Sequence, residues 1–366
     1  MQGNKYFKYL NLLSFSDTKR TRDIFQVNPT VIPAREEPAE VSIKIFDYSP
    51  DSFDEHGLED AAQCIRYKDN GRISWINVDG IRKADIEKIC AQFGIHMLIQ
   101  EDILSVGQRP KMDEMEPVLF CLLNMLYFNE QNGSVETEQI SIVLGDHFVL
   151  SFQDDAQRDV FNPIRDKLRI AGTKLRQSGA DYLCYAMLDM IVDNYFVVME
   201  KLSERIEFVE DKIIRSGNNN RALAEINNLR KELIVLKRNV NPVRDLINGF
   251  IRSDSDLLEE RTTKYFKDIY DHIIQATDLA ENYRDMMMSL QDLYLNNVNL
   301  RMNEVMKVMA VVTCLMAPAT VIGGIFGMNF DRIPYIHDKY GFFIAVSAML
   351  FIPIWMLRIF RKRGWF

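Results

Sequence analysis

One line of side chains in this sequence has the chemistry to handle a hydrated cation. Read in alternating steps of four and three from Asp271, it runs Asp271, Gln275, Asp278, Asn282, Asp285, Ser289, Asp292, Asn296, Asn299, Asn303, Met306, Ala310, Thr313, Ala317, Thr320 and Gly324. Every member before Met306 is polar, and every member after it is small or carries a hydroxyl. Asp271, Asp278, Asp285 and Asp292 recur at heptad spacing. A straight α-helix drifts about 20° per heptad from such a repeat, so helices wound around a common axis are implied. Carboxylates attract a divalent ion, and amide and hydroxyl oxygens suit a small hard ion that gives up its water reluctantly. Met306, with Met309 one turn on, interrupts the polar line and reads as a hydrophobic gate that excludes water. Gly327-Met328-Asn329 comes next. Gly327 is expected to end the helix by taking positive φ, leaving Asn329 to point its amide oxygen at the axis.

These residues need a long helix and a membrane to position them. Residues 305–326 form an apolar run whose only charge is Lys307, and residues 340–360 form another whose only charge is Arg358. Each approaches the roughly 20 residues that cross a bilayer, and the short link between them predicts a helical hairpin. Arg358, Arg361, Lys362 and Arg363 cluster at the end of the second run, which places both termini in the cytoplasm and the short loop outside. No proline interrupts the chain between Pro242 and Pro318. One helix is therefore expected from about Leu257 through the first span, on the order of 100 Å long, with Pro318 loosening it in the membrane. A second, apolar stripe of Phe266, Ile269, Ile273, Ala276, Ala280, Tyr283, Met287 and Leu290 would hold this helix against neighbours. Thr313 and Thr320 taken alone could satisfy their hydroxyls on the helix itself. Their alignment with Asn299 and Asn303 is better explained by a shared aqueous axis. One hairpin cannot enclose a pore, so several copies of the chain are required.

The fold class expected is an α+β cytoplasmic domain followed by a long stalk and pore helix and a two-helix transmembrane hairpin. Residues 1–40 are polar and proline-dotted and read as a loosely ordered arm. Residues 41–160 mix β-branched alternating runs with a helical pattern, as in an α/β domain, and 161–256 form a helical hairpin region. Residues 257–326 are the stalk and first span, 327–339 the outer loop, 340–360 the second span, and 361–366 a basic tail. The formal net charge of -8 argues against nucleic acid as a partner. The five cysteines are scattered and form no CxxC pair, against a disulfide scaffold or a structural zinc site. No P-loop, HExxH or GxSxG is present, and the histidines show no zinc-ligand spacing, so an enzyme is not expected.

The segment NEVMKVMAVVTCLMAPATVIGGIFGMNF, the second span and the terminal RKRGWF closely resemble the CorA family of magnesium and cobalt channels. So do EDILSVGQRPK at 101–111, ADYLCYAMLDMIVDNYF at 180–196 and YFKDIYDH at 265–272. The resemblance implies a funnel-shaped homopentamer in the cell inner membrane. It implies Mg²⁺ as the transported and the regulatory ion, with Co²⁺ as a second cargo, and Gly327, Met328 and Asn329 as the outer selectivity element. It further implies regulatory ion sites between neighbouring cytoplasmic domains, at Asp102 and Asp268 with Glu101 nearby. Two departures stand out. Ala317 is smaller than the Met of some relatives, and Tyr335 takes the place of an acid in the outer loop. A zinc transporter on the same scaffold, or a membrane-anchored oligomeric sensor that does not conduct, are the competing readings.

Overall fold

The computed structural model describes residues 37–38, 40–155, 158–216, 220–328, 333–334 and 338–365. Asn329 and the loop residues Tyr335 and His337 lie outside them. Contacts divide the chain into two compact units, the first made of residues 1–211 and 220–290, the second of 212–219 and 291–366.

The first unit is built on a seven-stranded mixed sheet. Its strands are β1 (Ser42–Tyr48), β2 (Phe53–Leu58), β3 (Ile73–Asp79), β4 (Lys111–Met115), β5 (Val118–Asn129), β6 (Ser134–Leu144) and β7 (Phe148–Gln153), ordered β2-β1-β3-β7-β6-β5-β4. Only β3 and β7 pair in parallel; the other neighbours are antiparallel. Both faces of the central strands are covered, which explains their near-continuous apolar sequences. On one face, Ile43, Ile45, Ile76, Val78, Leu150 and Phe152 pack against α1 (Lys83–Phe93) and α2 (Met97–Leu104), through Ile86, Ile89, Phe93, Ile99 and Ile103. The opposite face meets helices later in the chain, α3 (Asn162–Arg169), α4 (Ala180–Ser216) and α5 (Asn220–Arg252). Phe161 sets its ring edge-on to Trp75 at 6.0 Å. The Tyr195 hydroxyl donates to the Asn124 carbonyl at 2.7 Å, and Asn124 donates through its side chain to Asn239 at 2.7 Å.

The sheet edges escape a hydrophobic reading. Strands β2 (FDEHGL) and β4 (KMDEM) are polar. They exist because β1 and β5 present unpaired backbone groups that an edge strand satisfies whatever its side chains.

The long helix α6 (Glu260–Phe326) contributes residues to both units. In the first unit its expected apolar stripe is the buried one, for Phe266, Ile269, Ile273, Ala276, Ala280, Tyr283, Met287 and Leu290 are all buried. Phe266 stacks on Phe250 of α5 at 4.8 Å with the rings almost parallel, and Tyr265 meets Tyr182 and Tyr185 of α4 at 5.3 and 5.1 Å. This aromatic cluster fixes the start of α6 beside α4.

In the second unit, α6 continues without a break through Pro318 to Phe326, and α7 spans Gly341–Lys362. Only 6% and 0% of the residues in their apolar windows are buried, so most of their surface is left open by the described chain. A third helix, α4, is long and apolar enough to cross a bilayer, but half of its apolar window is buried. Asn297 of α6 donates to the Ile213 carbonyl at 2.9 Å.

Candidate cation sites

The clearest cluster of metal-ligating side chains lies in the first unit. Asp189 and Asp193 stand one helical turn apart on α4, and His272 faces them from α6, with ligand atoms of all three within 4.8 Å of one another. The aromatic cluster explains the placement, because it holds the turn of α6 carrying Asp268 and His272 next to α4. Burial, and then the charge of Asp193, raise the Asp189 carboxyl above its ordinary range; the charge of Asp268 adds to the rise, while His272 and the Tyr185 hydroxyl oppose it. Tyr185 donates to Asp189 at 3.4 Å. His272 Nδ1 lies 3.9 Å from Asp193, too far for a hydrogen bond, and is shielded from solvent without any hydrogen-bond partner.

This donor set fits a divalent ion. Two carboxylates that repel one another gain most from a shared cation, and an orphaned ring nitrogen beside them supplies a ready ligand. Two oxygens and an imidazole suit ions of the cobalt, nickel and zinc type better than Mg²⁺, which favours oxygen alone.

The carboxylates expected to hold a regulatory ion are less uniform. Asp268 is exposed on α6 and lies close enough to Asp189 and Tyr185 for its charge to act on both. Asp102, near the end of α2, is engaged by Lys111 at 2.6 Å, and Lys111 also reaches Asp113 at 3.0 Å. Glu101 beside it is exposed. Gln139 donates to the Asp102 and Ser105 carbonyls at 3.2 and 3.0 Å, which anchors this end of α2 to the sheet.

The polar line of α6 is exposed at every position. In the first unit Asp271, Gln275, Asp278, Asn282, Asp285 and Ser289 are exposed while the apolar stripe is buried. In the second unit Asp292, Asn296, Asn299, Asn303, Met306, Ala310, Thr313, Ala317, Thr320 and Gly324 are exposed, as are Met309, Gly327 and Met328. The two threonine hydroxyls do bond back to the helix: Thr313 donates to Met309 O at 2.9 Å and Thr320 to Met316 O at 3.0 Å. Each hydroxyl proton is thereby committed, and the oxygen is left to accept only. A hydrated cation presents water protons outward, so an acceptor-only oxygen is the matching partner.

Gly327 corrects an expectation. It does not take positive φ, unlike the glycines that do. Its N–H still donates to Gly323 O at 2.9 Å, and Met328 N–H donates to Ile325 O at 3.3 Å. The helix ends by tightening its last turn, not through a left-handed cap.

The chain is similar to known proteins over most of its length. A family model described as "CorA-like Mg2+ transporter protein" matches residues 70–362. The cobalt/magnesium transport protein CorA of Thermotoga maritima is 35% identical over 324 residues, covering 88% of this chain and 92% of that protein. Its counterpart in Methanocaldococcus jannaschii is 25% identical over 298 residues, covering 80% and 92%. The solved structure of the complete Methanocaldococcus jannaschii CorA magnesium transporter has the same fold, with a TM-score of 0.73 at 23% identity over 90% of this chain and all of that one. The cytoplasmic domain of ZntB from Vibrio parahaemolyticus shares the fold of the soluble part, with a TM-score of 0.51 at 15% identity, over 70% of this chain and 98% of that one.

Proposed function

The chain belongs to the CorA family of Mg²⁺ transport proteins, and from that premise we propose that it is one subunit of a homopentameric channel that passes Mg²⁺, and Co²⁺ with it, across the cell inner membrane. The observation that carries this reading is the line on α6, which apart from Met306 is polar or small, is exposed at every position, and lies apart from the buried stripe. A pore wall has this character in a single subunit, because its partners are water, ions and other copies.

The chemistry follows from the cargo. Stripping water from Mg²⁺ is costly, so the wall must hold the hydrated ion through its shell. Asn299 and Asn303 offer carbonyl oxygens, and Thr313 and Thr320 offer hydroxyl oxygens whose protons are already committed to the helix. Asp271, Asp278, Asp285 and Asp292 would draw cations toward the cytoplasmic mouth as stacked rings. Met306 and Met309 would form an apolar constriction that closes by shedding water. Gly327, Met328 and Asn329 would form the outer selectivity element, with both termini in the cytoplasm.

Asp189, Asp193 and His272 are the residues that would hold a regulatory divalent ion within one subunit, with Asp268, Asp102 and Glu101 serving sites between subunits. A bound ion supplies positive charge that quiets the repulsion among these carboxylates. Its loss would let the acidic faces separate and bias the pore toward opening.

Ion flux into liposomes that contain the purified chain and a divalent-sensitive dye tests the reading. Uptake of Mg²⁺ and Co²⁺ is expected, with Asn329→Ala reducing it. Absence of divalent flux, with Asn329→Ala indistinguishable from wild type, would sink the channel. Uptake of Zn²⁺ that follows an imposed pH gradient would move the assignment to a zinc transporter.

A further inference from the structure

The end of α7 is folded, not frayed. Gly364 has a φ of 72°. Its N–H donates to Arg361 O at 3.1 Å, and the Trp365 N–H donates to Phe360 O at 3.0 Å. These two bonds are the pattern by which a left-handed glycine closes a helix, and the apolar contact that accompanies it is present. Trp365 stacks on Phe360 at 5.3 Å with an interplanar angle of 11°.

The cap holds Arg358, Arg361, Lys362 and Arg363 in the last turns, all exposed. Lys307 of α6 joins them, with Nζ 3.4 Å from the Gly364 carbonyl. Among the described residues none of the five cations is paired with a carboxylate. Topology alone needs positive charge near a span; it does not need that charge to be mounted on a capped helix with an indole folded back beside it.

We propose that this capped end binds the headgroups of anionic phospholipids in the leaflet that faces the termini. No residue in the apolar window of α7 is buried within the chain, so lipid tails meet its exposed faces, and the layer met next along the helix is the headgroup layer. Guanidinium groups match the oxygens of a phosphodiester with paired hydrogen bonds, and an indole is at home at that depth. The inference rests on the membrane reading of α6 and α7 and is independent of ion conduction.

The full-length protein would be reconstituted into vesicles of phosphatidylcholine, of phosphatidylglycerol, or of mixtures, with brominated acyl chains that quench the exposed Trp355. Both leaflets then carry the same lipid, so orientation does not matter. One Lys or Arg at an anionic surface is worth roughly a factor of five at low salt. The wild type should prefer phosphatidylglycerol by about that factor or more, and 0.5 M NaCl should abolish the preference. Arg358→Gln, Arg361→Gln, Lys362→Gln and Arg363→Gln combined should abolish it too. Removing equal charge from the first unit, with Lys44→Gln, Lys83→Gln, Lys167→Gln and Lys264→Gln, should not. Gly364→Ala keeps every charge but strains the cap, and should lower the preference.

Equal quenching by the two lipids in the wild type would overturn the proposal, as would a preference that survives the fourfold tail variant. A full preference in Gly364→Ala would overturn the role of the cap. Failure to enter vesicles at all would overturn the membrane reading and the lipid site together, whereas entry without preference overturns the lipid site alone.

Discussion

Replacing Asp189 by Asn should stabilise the protein without metal and destabilise it with metal. The ligand atoms of Asp189, Asp193 and His272 lie within 4.8 Å of one another. Two unit charges at that separation repel by about 3.5 kcal/mol at an effective dielectric of about 20, and by about 0.9 kcal/mol in water. Asp193 is exposed, so the lower end applies, and Asp189→Asn should gain about 1 kcal/mol in chelator, or about 2 °C in Tm. Cobalt reverses the order. An ion present at about 100 times its Kd stabilises the wild type by about 2.7 kcal/mol. Even loss of a group that only supports a metal ligand lowers affinity up to about 100-fold. A drop of that size leaves the variant about 0.4 kcal/mol of cobalt stabilisation. The variant should therefore melt below the wild type in Co²⁺ by about 1.3 kcal/mol, once its metal-free gain is counted.

The pH dependence has a definite sign. The Asp189 carboxyl sits above its ordinary range in the folded chain, so the native state takes up its proton first as pH falls. The wild type carries the penalty above the raised value and loses it below the ordinary one. In chelator the advantage of Asp189→Asn should thus shrink as pH falls through that window. Thermal melts in detergent, with chelator and with Co²⁺, check all of this. A shift of the same sign in both conditions would refute the shared-ion reasoning.

His272→Ala should weaken Co²⁺ binding at least tenfold while changing Mg²⁺ binding less than about threefold, since only the former readily takes an imidazole ligand; calorimetric titration with the two ions decides, and equal losses count against the site. Thr313→Val should cut Mg²⁺ flux in liposomes, and Thr313→Ser should restore most of it, because serine keeps the acceptor oxygen and the bond to Met309. Met306→Ser should raise basal flux by wetting the constriction, and an unchanged or lower flux would remove Met306 from the gate. Phe266→Ala should cost about 3–5 kcal/mol by opening the stack on Phe250, seen as a fall in Tm far larger than that of Lys264→Ala on the exposed face of the same helix.

The sequence made the stalk legible because its two stripes obey one period. Phe266 through Leu290 had to be buried if Asp271 through Ser289 were to be wet, and both hold. The central strands were readable for the same reason, through long β-branched runs that only a doubly covered sheet accepts. Edge strands β2 and β4 were not, since backbone pairing and not side-chain burial creates them. The Asp189, Asp193 and His272 cluster escaped because His272 lies far along the chain from the two aspartates and meets them only when Tyr265 and Phe266 dock on α4 and α5. A faint signal existed in two aspartates one turn apart on the apolar helix α4. The turn at Gly327 was misread because a glycine after a helix usually signals a left-handed cap, whereas here the last turn tightens as the Met328 N–H turns to Ile325 O.

The partial burial of α4 also bears on a question of parity. Counted by length and composition, three helices among the described residues are candidates to cross a membrane, and an odd count would send the two ends of the polypeptide to opposite compartments. Half of the α4 window is spent on the chain itself, and Tyr195 and Asn194 of that helix are bonded to carbonyls of β5. Among the described residues only α6 and α7 remain; on the proposed membrane reading that count is even, and reporter tags fused at either end should answer to reagents from the same side.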